Sequence, residues 1–394
     1  MAKHVVDKDQ SSSWYINESN DTWVLTKGTT LVSQSTAIIE DQTQHDNKIV
    51  INGTVDVNDF MGTSYAIQIY GENSDIIVGD SGILTADRVV ALTGNQQTLT
   101  NHGMIDGDET GVYMYNEHGT IDNFGTIEAY TGINAFGQAS KIVNHAGGEI
   151  KGSGNAVYGF GDRDITIVND GRLEGGVAAI NIGDGDDRVV NHGKIVGDVN
   201  LGAGNDVFDT RGGKLAGTVE GGGGNDIYFV NNAETDIQED FLQGGIDTVK
   251  STVSYEIATF VENVTLLGKK DIDVTGNALG NILKGNAGDN IIRGLEGSDT
   301  LSGGKGNDRL FGGDDADAFV FKTDGGHDVI ADFDINAGDH IDLSGMDAIK
   351  NYSDLVNHHL EVSGDDLLIT AGDDQIRIKN FGEADIKAGM FDFG

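Results

Sequence analysis

Apolar and polar residues alternate along this chain in short runs of three to five positions, and glycine or asparagine interrupts them about every ten residues. Runs of this length and spacing predict strands rather than helices. From residue 99 onward one phrase recurs: LTNHGMI, IDNFGTI, IVNHAGGEI, IVNDGRL and VVNHGKI. Its asparagines, Asn101, Asn123, Asn144, Asn169 and Asn191, lie 22, 21, 25 and 22 residues apart. An aliphatic residue follows each glycine, giving Ile105, Ile127, Ile150, Leu173, Ile195 and later Leu215, with looser copies at Val55 and Leu84. A second phrase, AIQIYG, VVALTG, GVYMYN, GINAFG, AVYGFG and AAINIG, runs between the copies of the first and keeps the same period.

Short strands at a period near 22 residues predict a parallel β-helix in which each coil climbs one inter-strand spacing, roughly 4.8 Å. Equivalent residues then stack in columns. The Ile/Leu column is expected to fill the core. The asparagines should form an amide ladder, each side chain bonded to the copies above and below. The glycine before each strand is expected to supply a backbone conformation that other residues resist. These phrases resemble the passenger-type β-helix repeats of large bacterial surface proteins over about residues 46–220. The resemblance implies right-handed geometry and leaves function open, because that fold carries adhesins and polysaccharide enzymes alike.

Composition narrows the partners. The 394 residues include 59 Gly, no Pro and no Cys, so neither disulfides nor thiolate metal sites are available. Against 25 Lys plus Arg stand 64 Asp plus Glu, a formal charge of −39. That field repels nucleic acid and anionic membrane and attracts multivalent cations. The opening MAKHVVDKDQSSSW has no apolar stretch of secretory-signal length, and no run approaches the roughly 18 apolar residues of a membrane span. Any export is therefore expected to use another route.

Cut in nines, residues 276–320 read GNALGNILK, GNAGDNIIR, GLEGSDTLS, GGKGNDRLF and GGDDADAFV, and the fourth unit fits GGxGxDxUx throughout. Two units should complete one coil of 18 residues. Glycine turns let carbonyl oxygens converge, and the sixth residue adds a carboxylate. Calcium takes six to eight oxygens at about 2.3–2.6 Å, which neighbouring turns can supply together. The sixth positions are Asn281, Asn290, Asp299, Asp308 and Asp317. Alternate units share a side, so Asp299 should pair with Asp317 and Asn290 with Asp308. Sites at the asparagine-bearing units are expected to be weaker or absent. In the unit with the full motif, Gly303, Gly304 and Gly306 are the turn glycines. Three further copies, IGDGDDRVV, LGAGNDVFD and GGGGNDIYF, place Asp187, Asp206 and Asp226 19 and 20 residues apart, close to the coil period. Stacked carboxylates repel without a cation, so calcium binding is expected back to residue 183. So much glycine loses more chain entropy on folding than Leu301, Leu310 and their neighbours can offset. Ion binding should supply the difference, leaving the segment disordered without calcium.

These nonapeptides, with the stretches around them, resemble the RTX family of calcium-binding proteins exported by type I secretion. The connector GIDTVKSTVSYEIATFVENVTLLG, the cap DAFVFKTDGGHDVIADFDINAGDHIDLSG and the closing SGDDLLITAGDDQIRIKNFGEADIKAGMFDF carry the likeness across about residues 220–394, although Gly394 departs from the usual hydrophobic end. The resemblance implies type I secretion machinery as a partner, an uncleaved C-terminal secretion region, and folding outside the cell. The expected architecture is all-β. Residues 1–45 are a cap or assembly segment, 46–230 a right-handed parallel β-helix with Gly/Asp calcium loops near its end, and 231–275 a connector. Residues 276–325 form an RTX β-roll and 326–394 a β-rich cap with the secretion region.

The rival reading is a polysaccharide lyase or epimerase, which needs a base and cations clustered on one face. The chain has eight Arg, of which Arg163, Arg172, Arg188 and Arg211 follow no column, and it lacks HExxH, GxSxG and GxGxxG. His102, His145 and His192 share one repeat position, but Phe124 and Asp170 fall between them, too far apart for one zinc ion. Tyr70, Tyr115, Phe136 and Phe160 share another, read as packing rather than a sugar platform. The expectation is a non-enzymatic, secreted, calcium-binding structural or adhesive protein of the bacterial surface or matrix. It should bind several calcium ions and self-associate, with surface polysaccharide or lipopolysaccharide as a candidate partner.

Overall fold

The computed structural model describes residues 1–59, 62–115, 117–239, 244–382 and 386–394. The chain is all-β and forms two compact units, Met1–Asp226 and Ile227–Gly394. Each is a parallel β-solenoid.

In the first unit the aliphatic column is continuous: Leu31, Val55, Leu84, Ile105, Ile127, Ile150, Leu173, Ile195 and Leu215 pair in sequence. The asparagine ladder stands as expected. Asn101, Asn123, Asn144, Asn169 and Asn191 are fully buried, and each of the first four donates its Nδ2 to the next Oδ1 at 2.8 Å. Asn191 closes the run on Thr210 Oγ1 at 3.1 Å. The glycines beside the ladder serve a different purpose from the one expected. Gly103, Gly125, Gly171 and Gly193 do not have positive φ. A Cβ on any of them would sit 2.1–2.2 Å from the carbonyl oxygen of the preceding coil. They are there because the backbones stack too closely for a side chain.

The long strands Ile83–Leu92, Met104–Met114, Thr126–Ala135 and Glu149–Gly159 each bend midway, where a register shift separates two faces of the coil. Residues 1–45, read in the sequence as a cap or assembly segment, are built as coils. Thr22–Leu25 pairs in parallel with Lys3–Val6 on one side and Lys48–Ile51 on the other. In these coils the ladder position holds Val6, Leu25, Ile51 and Val78, so the asparagine phrase that marks the later coils is missing.

The second unit has two strand faces per coil. Leu283, Leu301, Phe319 and Ile341 stack on one, and Ile292, Leu310 and Ile330 on the other. Asp374–Ile378 joins the second ladder in parallel, and Asp366–Ala371 and Leu360–Ser363 then add in antiparallel fashion, covering the sheet edge that the last coil leaves open. Among the described residues no helix is long and apolar enough to cross a membrane.

Candidate metal centre

Every nonapeptide ends its glycine turn by driving the sixth side chain under the next strand, because the residue after it is the first of an alternating strand whose second residue fills the core. The sixth residues therefore stack. In the second unit they form two columns. Asn281 N donates to Asp299 Oδ1 (2.7 Å), Asp299 N to Asp317 Oδ1 (2.9 Å), and Asp317 N to Asp339 Oδ1 (3.0 Å). On the other face Asn290 N donates to Asp308 Oδ1 (2.8 Å) and Asp308 N to Asp328 Oδ1 (2.9 Å). Asp299 and Asp317 are thus neighbours, as are Asn290 and Asp308, the pairing that the 18-residue period requires.

One oxygen of each acid is spent on that backbone bond. The other is not: Oδ2 of Asp299, Asp308 and Asp317 is buried with no hydrogen-bond donor. Each lies against the first glycine of its own turn. A Cβ on Gly294, Gly303 or Gly312 would stand 2.0, 2.1 or 2.1 Å from the oxygen of Asp299, Asp308 or Asp317. Gly304 and Gly306, with φ of +99° and +115°, turn the loop above, and a cavity of about 40 Å³ opens between Gly303, Gly304 and Asp328. Asparagine at the same position behaves differently. Asn290 Oδ1 accepts Asn286 N at 2.8 Å, and its Nδ2 donates to Ile272 O at 2.7 Å; Asn281 is satisfied the same way by Asn277 and Val261. The amide closes on protein partners where the carboxylate leaves an oxygen open.

A family model for the RTX calcium-binding nonapeptide repeat, in four copies, matches residues 275–310, 284–319 and 293–330. Residues 275–330 are RTX repeats, and they bind calcium. No curated protein matches the chain.

The RTX loops fit the ion on their own chemistry. They offer hard oxygen donors, glycine turns whose carbonyls can converge, and buried carboxylate oxygens that lack any proton donor. Burial dominates their electrostatics. It pushes Asp299 and Asp317 up to about 7 and Asp308 to about 6, with backbone donors pulling the other way. Asp328 is pushed up to about 7 by the same burial, and Asp339 is raised too. Groups so placed hold a proton or a cation, since an isolated buried carboxylate is too costly. Asp328 and Asp339 are the members that the repeat count missed. Their loops stretch the spacing from 18 to 20 and 22 residues, but the phrases HDVI and DHIDL that contain Asp328 and Asp339 lead into alternating strands like those of the repeats.

In the first unit Asp187, Asp206 and Asp226 also stack: Ile165 N donates to Asp187 Oδ1 (2.6 Å), Asp187 N to Asp206 Oδ1 (2.6 Å), and Asp206 N to Asp226 Oδ1 (2.7 Å). Members of the histidine and aromatic columns stack or pair with one another along the coils. His102, Phe124 and His145 form one stack, with centroids 4.6 and 3.9 Å apart, and His192 Nδ1 meets Asp170 at 2.8 Å. Tyr115 stacks with Tyr113 and Phe136 at centroid distances of 5.5 and 5.4 Å, while Tyr115 and Phe160 keep exposed surface. Arg88, Arg172 and Arg211 are each ion-paired with a carboxylate, Glu109, Glu149 and Asp209 in turn.

Proposed function

We propose that this is a secreted structural or adhesive protein of the bacterial surface or extracellular matrix, without enzymatic activity, that folds and self-associates when calcium reaches it. The observation that carries the reading is the pair of carboxylate columns in the RTX segment, in which Asp299, Asp308 and Asp317 each leave a buried oxygen without a donor. Asp299 and Asp317 would hold an ion on one face, and Asp308, Asp328 and the Gly303–Gly306 turn on the other. Bound there, calcium supplies positive charge and oxygen coordination that tie one coil to the next. The protein's part is to hold each Oδ1 on a backbone amide, so that every Oδ2 faces the loop interior. Asn281 and Asn290 start the columns without an ion, because their amides reproduce the closure from protein atoms.

Outside a cell calcium is abundant, and modules of this kind are tuned to about 10⁻⁴–10⁻³ M. Inside, the columns stay charged and the glycine-rich chain stays open, the state that type I secretion needs. Self-association follows from the charge: copies carrying −39 repel until calcium neutralises part of it. Light scattering of the full-length protein, titrated with calcium from chelator, tests the assembly. Large particles near millimolar calcium that dissolve in chelator are the expected result. A compact monomer throughout would remove the assembly role and leave calcium-driven folding standing.

A further inference from the structure

The first unit contains a carboxylate column that lies outside the RTX match, at residues 183–226. Asp187 is 1% exposed and Asp206 is 0% exposed, and Oδ2 of each is buried with no hydrogen-bond donor. In the loops before Asp206 and Asp226 the backbone repeats the shape of the RTX turn, whereas Gly183 and Gly185 before Asp187 do not have positive φ. Gly304 and Gly306 precede Asp308 with φ of +99° and +115°, while Gly202 and Gly204 precede Asp206 with +103° and +136°, and Gly222 and Gly224 precede Asp226 with +100° and +116°. The loops stack directly. A Cβ on Gly202 or Gly222 would lie 2.0 Å from the carbonyl oxygen of Gly183 or Gly202, so each loop turns a carbonyl into the space beneath the next.

The arrangement is not simply more RTX repeat. In the first two loops the first glycine of the phrase is replaced by Ile182 and Leu201, both buried, while the third keeps Gly221, and the loops recur once per coil of 19 or 20 residues rather than twice per coil of 18. The column is therefore one-sided. On a neighbouring turn of the same coils the strands end in the asparagine ladder, which is complete without any ion. The column has a definite start, since the coil preceding Asp187 carries Ile165 at the equivalent place.

We propose that residues 183–226 hold a second, one-sided set of calcium sites, one in the gap between Asp187 and Asp206 and one between Asp206 and Asp226. The inference rests on the calcium chemistry of the RTX segment and extends it to coils of a different period. Two stacked carboxylates with glycine carbonyls suit calcium, which takes many oxygens in loose geometry. They suit magnesium poorly, because it keeps its waters and demands an octahedron.

Asp206 belongs to both gaps, and asparagine is accepted at the same turn position in Asn281 and Asn290, so Asp206→Asn removes ligand charge while keeping the turn. Calcium bound per chain is measured by equilibrium dialysis and atomic emission on the full-length protein, its Asp206→Asn variant and an Asp308→Asn variant, with magnesium as the competing ion. Asp206→Asn should lose up to two ions that magnesium does not replace, and Asp308→Asn should lose RTX ions only. An unchanged count in Asp206→Asn beside a loss in Asp308→Asn overturns this inference alone. No loss in either overturns the assignment of the RTX ligands as well. Should Asp206→Asn fail to fold, hydrogen exchange on the unsubstituted protein decides. The amides of Ile165, Asp187 and Asp206 should exchange at least tenfold more slowly in calcium than in chelator, and equal rates would end the proposal.

Discussion

Asp187, Asp206, Asp299, Asp308 and Asp317 are each buried with one oxygen satisfied by a backbone amide and the other without a donor, open to a cation or a proton. That division has a consequence for pH. Burial lifts Asp187 to about 8, Asp206, Asp299, Asp317 and Asp328 to about 7, and Asp226 and Asp308 to about 6, from an ordinary value of 3.8. Between about pH 4 and 8 the folded, calcium-free chain therefore holds protons that the unfolded chain has released, so its stability falls as pH rises. The unfolding midpoint in chelator should be higher at pH 5.5 than at pH 8. With calcium present the order reverses, because the ion must displace those protons: affinity rises over the same window and binding releases protons. Calorimetry in two buffers of different ionisation enthalpy reads that release. A chelator midpoint that climbs from pH 5.5 to 8 would contradict the assignment. The sixth residues of the regular repeats were legible in the sequence. Asp328 and Asp339 were not, because their longer loops break the count of nine while leaving the column intact.

At the scale of the element, the coil is defined by what stacks on itself. The aliphatic and asparagine columns could be read directly from the sequence because the same residue type returns once per coil. The first 45 residues could not, because Val6 and Leu25 occupy the place that Asn101 takes later, and an aliphatic residue marks no position by itself. The ladder glycines were recognised for the wrong reason. Their steric demand comes from the neighbouring coil, which a single strand does not reveal. The ladder itself makes a clear prediction. Asn144 accepts from Asn123 and donates to Asn169, so Asn144→Ala leaves the buried Asn169 oxygen without its side-chain donor and takes from the Asn123 amide one acceptor, its bonds to Gly125 O and Glu149 O remaining. At about 1–3 kcal/mol for an orphaned group, the first unit should lose stability in that range in denaturant unfolding. The loss should be the same in calcium and in chelator, since no ion takes part in the ladder. A calcium-dependent loss would show that ladder and ion sites are coupled.

For the molecule as a whole, two devices keep coils stacked. The asparagine ladder is complete from protein atoms alone, whereas the carboxylate columns leave buried oxygens that protein atoms do not complete. The glycine-rich RTX coils bury few large side chains per residue and lose much chain entropy on folding, so on the function proposed here their order should depend on the ion. Hydrogen exchange across the full-length chain, in chelator and in about millimolar calcium at pH 7.5, tests this most directly. Amides in residues 275–330 should exchange freely in chelator and become protected in calcium, while the ladder strands between Thr98 and Asn144 stay protected in both. Equal protection of the RTX segment with and without calcium would contradict the account.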